Sequence, residues 1–213
     1  AGLRKFEVQH KDDVLFTVSG LPAGARIRLA TMDAYDGVVF SVVAASSGRG
    51  DASGSFERVG KKIPTSAKGT EATITVTIRD FSEVWLPTVG AVTSVDFAGA
   101  RARALSESFR FNAQTGVGIV PARLPAGDQY TMTVIVPAEP EPDALAGRSF
   151  GRVNLPELTG VPDEVVSLAA EYTREAGSDY DRLKALLTRL KQGAFSDGTD
   201  ATGVRPRPGH GAA

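Results

Sequence analysis

Nucleophilic catalysis needs a thiol, hydroxyl or amine within hydrogen-bond reach of a base that a third group orients. This sequence holds 2 histidines and no cysteine. His10 lies in the charged turn His10-Lys11-Asp12-Asp13, and His210 in a tail rich in glycine, proline and alanine. Serines are plentiful, but none stands in a recognisable nucleophile elbow. No catalytic residue is assigned, and both histidines read as surface groups. Metal binding needs several ligands that converge. The nearest pairs are Asp33 with Asp36 and Asp197 with Asp200, and neither follows the spacing of a calcium loop. Aspartate beside glycine is accounted for by turn chemistry. The reading is therefore no metal ligand and no cofactor.

Three other patterns have simpler explanations. Arg49-Gly50-Asp51 matches an integrin-recognition tripeptide, but it falls in a Gly/Ser/Ala-rich stretch from Ala44 to Ser55 where such a triplet arises by chance. Gly116-Val117-Gly118 lacks the third glycine of a nucleotide loop, and Pro121 stands where the helix would begin. Arg26, Arg28, Arg101, Arg103 and Arg110 read as a solvated sheet face, with contact to an anionic glycan as the alternative. Trp85 is the single tryptophan, followed by Leu86-Pro87. It reads as a packing anchor, and an exposed ligand platform is the competing role.

The elements that would position these groups fall into two classes. Phe16 and Val18, Ile27 and Leu29, and Phe56 to Ile63 suggest short strands. Thr73-Ile74-Thr75-Val76-Thr77-Ile78 alternates threonine with branched aliphatics without a break. Leu105, Phe109 and Phe111 share one parity and predict a further strand, and Tyr130, Met132, Val134 and Val136 predict the last. Asp36-Gly37 between two β-rich runs is a hairpin signal. After Pro137-Ala138-Glu139-Pro140-Glu141-Pro142 the period changes. Val161, Val165, Leu168, Ala169 and Tyr172 recur at helical spacing, and so do Leu183, Leu186, Leu187 and Leu190. Gly177-Ser178-Asp179-Tyr180-Asp181 reads between them as a glycine stop and a serine cap.

The expected fold is mainly β, an antiparallel β-sandwich followed by a C-terminal helical hairpin. The sandwich would take residues 1–136, a Pro-rich linker and irregular segment 137–160, the hairpin 161–198 and a flexible tail 199–213. A lone hairpin is too small to be stable, so its apolar stripes are expected to bury against the sandwich or against chain beyond Ala213. Composition fits this picture: 213 residues, 42% hydrophobic and 23% charged, suit a globular chain. A net charge of −1 gives no field that would draw the chain to nucleic acid. Without cysteine there are no disulfides and no thiolate metal site. No signal peptide and no run of about 18 apolar residues is present. Ala1 begins directly in a strand-like run, so the sequence reads as an excised piece, with any membrane anchor outside it.

Several segments resemble the extracellular region of bacterial membrane-anchored transglutaminase-like proteins. They are Leu3-Arg4-Lys5-Phe6, Phe16 to Pro22, Arg26 to Gly37, Phe81 to Pro87 with its Val84-Trp85-Leu86-Pro87, and Phe109-Arg110-Phe111-Asn112. Leu155-Pro156, Phe195-Ser196-Asp197-Gly198 and Pro208-Gly209-His210-Gly211 extend the likeness to nearly the whole chain. The resemblance implies N-terminal membrane helices, this region outside the cell, a papain-like core with a catalytic cysteine, and a further membrane helix. On that pattern the chain is a non-catalytic accessory region at the extracytoplasmic face of the plasma membrane. It would brace a downstream core of the same parent and present its substrate, with envelope proteins or glycans as further partners. An independent lectin-like envelope-binding module and a plain structural spacer are the alternatives.

Overall fold

The computed structural model describes residues 10–35, 40–42, 54–151 and 160–192. The chain divides into two compact units, Ala1–Asp33 with Val42–Ala138 and Ala34–Ser41 with Glu139–Ala213.

Strands β1 (Phe16–Ser19) and β2 (Ile27–Arg28) open the first unit. The short strands β3 (Ala34–Tyr35) and β4 (Phe40–Ser41) belong to the second and pair antiparallel, Ala34 with Ser41 and Tyr35 with Phe40. That is the pairing Asp36-Gly37 predicted, although those two residues lie outside the described ones. β5 (Thr70–Ile78) is the long alternating run. Its period of two buries Ile74, Val76 and Ile78 almost completely and turns the threonines to the other face. β6 (Trp85–Leu86), β7 (Thr88–Val89) and β8 (Ala91–Ala98) follow in quick succession. A helix α1 (Ala102–Ser108) leads to β9 (Arg110–Asn112), β10 (Val117–Ile119) and β11 (Gln129–Val136).

The main sheet has the order β1-β5-β11-β8 and a smaller one the order β6-β10-β9, while β2 pairs with β7. All the pairings are antiparallel. Both sheets and α1 contribute to one apolar cluster that includes Ile74, Val76, Leu86, Leu105, Phe111, Tyr130 and Met132. On β11, Tyr130 lies opposite Val76 and Met132 opposite Ile74. Outside the cluster, the hydroxyls of Thr75 and Thr131 meet across the strands at 3.0 Å. Tyr130 is wholly buried and its hydroxyl donates to the Pro87 carbonyl at 2.6 Å. Burial pushes this hydroxyl well above the usual tyrosine range, so it stays a neutral donor.

β8 was not expected, and its register shows why. A shift between Thr133 and Val134 sets Val92 opposite Val134 but Val95 opposite Met132 and Phe97 opposite Tyr130. Val92 and Val95 are three residues apart, yet both meet core residues of β11, because a bulge near Thr93 resets the parity. The irregularity also has a use. Thr93 accepts a hydrogen bond from the Ile63 amide at 2.8 Å, and its hydroxyl donates to the Thr133 carbonyl at 3.0 Å.

Two expected strands take another form. Phe56 to Ile63 contributes only a bridge between Glu57 and Phe111, although Ile63 is buried. Leu105 belongs to α1 and Phe109 is its C-terminal cap, with the strand starting at Arg110. A spacing of four satisfies both the helical and the strand period, so parity alone could not separate the two.

In the second unit a short helix α2 (Pro142–Leu145) begins with proline at a first-turn position, where its missing N–H costs nothing. α3 (Asp163–Tyr172) carries Asp163 and Glu164 in its first turn, where they complement the helix dipole. It ends at Tyr172 with Thr173 as the cap, four residues short of the stop read at Gly177. The Thr173 amide and hydroxyl both donate to the Ala169 carbonyl, at 3.2 and 2.8 Å. α4 (Asp179–Gln192) starts as the sequence indicates. Ser178 accepts from the Asp181 amide at 3.1 Å and donates to the Asp181 carboxylate at 2.6 Å, a reciprocal cap. Asp179 also accepts from the Phe150 amide at 2.9 Å, tying the preceding segment to this helix start.

Candidate functional site

The helix pair carries the largest set of exposed apolar side chains. Val165, Val166 and Leu168 on α3 and Leu183, Leu187 and Leu190 on α4 all remain exposed, Leu190 at 72%. No residue of either helix is buried. Both stripes stand exposed among the described residues. The helices do contact each other, and the Arg189 guanidinium sits 5.5 Å from the centre of the Tyr172 ring, a cation–π arrangement across the pair. Tyr172, Glu175, Lys184, Thr188 and Arg189 line an open groove there.

Sequence-singled residues fall in scattered places. Trp85 is half-buried on β6, opposite Ile119, with its ring edge-on to Phe56 at 6.0 Å between centroids. The five arginines do not share a face. Arg28 on β2 donates to the carbonyls of Gly116 at 3.1 Å and Gly90 at 3.4 Å. Arg101 pairs with Asp128, Arg103 with Glu107 one helical turn on, and Arg110 donates to the carbonyls of Glu107 and Phe109. These guanidiniums fasten turns and a helix end, which corrects the picture of a solvated basic sheet side, and Arg26 is exposed. Gly116 takes a left-handed backbone (φ 67°) in the turn between β9 and β10, not in a phosphate loop. Asp33 is exposed. Asp36, Asp197, Asp200, Arg49-Gly50-Asp51 and His210 lie outside the described residues.

One grouping was missed. His10 Nδ1 lies 3.0 Å from Asp13 Oδ2 and 3.5 Å from Asp80 Oδ2. Sequence spacing gave the first contact as a turn. The second depends on β1 pairing with β5, which brings residue 80 beside residue 15, and no local signal announces it.

The TgpA N-terminal domain family matches residues 3–141, well over half of the chain. The chain belongs to this family. TgpA is a transglutaminase-like protein, so residues 3–141 are a transglutaminase-associated N-terminal region, as the resemblance read from the sequence indicates. Its TgpA N-terminal match ends at residue 141, before α3 and α4 begin. No curated protein and no solved structure matches the chain. Among the described residues, no helix is long and apolar enough to cross a membrane.

Proposed function

We propose that the chain is the non-catalytic accessory region of a transglutaminase-like membrane protein, acting at the extracytoplasmic face of the plasma membrane. In this reading the strand-built part, residues 1–136, is a rigid platform. Residues 137–160 are a linker, and the helical hairpin within 161–198 lays its apolar stripes against the catalytic core of the same protein. Trp85 acts as a packing anchor. The thiol that performs acyl transfer or hydrolysis belongs to that core, because this sequence contains no cysteine.

The observation that carries the reading is the family match over residues 3–141. The uncovered valines and leucines of α3 and α4 support the finer role, since covering each such side chain contributes about 1.5–3 kcal/mol. Bracing the core and presenting its substrate is the use that this surface fits.

A double variant of the full-length parent, Val166→Asp with Leu187→Asp, tests the role. Both positions are exposed, so the first unit keeps its thermal transition. Amidase or transamidase activity falls by about tenfold or more, as loss of even one well-buried apolar contact would give. Undiminished activity in that variant contradicts the bracing role. Turnover by the 213-residue chain alone contradicts the division of labour.

A further inference from the structure

We propose that His10, Asp13 and Asp80 form a binding site for a divalent transition cation of the zinc class. The inference is independent of the docking role of the helices. One ligand atom from each residue lies within 4.8 Å of the others. His10 Nδ1 is 3.0 Å from Asp13 Oδ2 and 3.5 Å from Asp80 Oδ2. A tetrahedral zinc ion bonded to nitrogen and oxygen at about 2.0–2.2 Å requires donor separations of about 3.3–3.6 Å. The two spacings from His10 Nδ1 lie within a few tenths of an ångström of this range, and the two carboxylate oxygens lie within 4.8 Å of each other.

Backbone hydrogen bonds fix the two segments that carry the three donors. The Asp13 amide donates to the His10 carbonyl at 3.2 Å and closes the turn that sets these two side chains together. The amides of Arg79 and Asp80 both donate to the Leu15 carbonyl, at 2.9 and 3.0 Å. Phe16 pairs with Ile78 in the adjoining register, so the start of β1 and the end of β5 cannot slide apart. His10 is half-buried while Asp13 and Asp80 are exposed, which leaves an entry path for an ion from solvent.

The donor set selects the class of ion. Calcium and magnesium are taken by oxygen ligands, whereas an imidazole beside carboxylates suits zinc and its first-row neighbours. Three protein ligands leave a fourth position for water. Binding moves the imidazole proton to Nε2 or to solvent, so that Nδ1 offers its lone pair, and the two carboxylates balance the charge of the ion.

Titration calorimetry of zinc chloride into the 213-residue chain tests the site. One zinc ion binds per chain. His10→Ala and Asp80→Asn each weaken binding at least as much as losing a mere supporting partner of a ligand does, about 10–100-fold. Asp80→Asn is nearly isosteric at an exposed position, and an unchanged thermal transition confirms that this variant folds. His210→Ala, which removes the other histidine, leaves the affinity unchanged. Absence of binding at millimolar zinc, binding that survives His10→Ala, or binding lost in His210→Ala overturns the site. Calcium bound as tightly as zinc overturns the class of ion.

Discussion

At the scale of single residues, one buried polar contact links distant parts of the first unit. Tyr130 joins the two sheets: its ring is enclosed with Val76 and Phe97, and its hydroxyl reaches the Pro87 carbonyl beside β6 and β7. Tyr130→Phe deletes the donor and leaves a carbonyl without it, and denaturant unfolding should show a loss of about 1–2 kcal/mol. The same residue gives the fold a pH dependence. Burial raises its pKa in the folded chain, while the unfolded chain releases this proton at about pH 10. The neutral form is common to both states below that pH, so stability there is unaffected. Above it the unfolded state gains by ionising, and stability falls by about 1.4 kcal/mol per pH unit until the folded value is reached. Unfolding measured at pH 9 and pH 11 should show this drop, and Tyr130→Phe should show less of it. The sequence announced Tyr130 as a core position through its alternation. The Pro87 contact was not legible, since it joins positions 43 residues apart.

At the scale of elements, what could be read was whatever one period or one cap decides. β5 and β11 keep strict alternation, and their runs from Thr73 and from Tyr130 were legible. β8 was lost because its bulge breaks the alternation, and α1 was taken for strand because Leu105 and Phe109 fit both periods. The start of α4 was legible because Ser178 and Asp181 bond to each other reciprocally within one turn. Ser178→Ala removes that cap. Helix content followed by circular dichroism during thermal unfolding should show α4 melting earlier, at a cost of about 1 kcal/mol. The end of α3 was misplaced because Gly177 is a stronger stop on paper than Thr173, whose side chain turns back to the Ala169 carbonyl.

At the scale of the whole molecule, the strand-rich unit has its own core, and the family match falls on that part of the chain. The helix pair has no such core. Its stripes were legible as apolar helix faces, but amphipathic spacing says nothing about what surface covers them. The His10 cluster was hidden for a related reason, since it is assembled by pairing between distant strands. The central claim is that α3 and α4 are covered by the catalytic core of the parent protein. Hydrogen exchange at the amides of 163–192 tests it most directly, compared between the 213-residue chain and the full parent. The account predicts fast exchange in the chain alone and marked protection of these amides in the parent, since covered helices open less often. Equal exchange of both helices in the two proteins would contradict it.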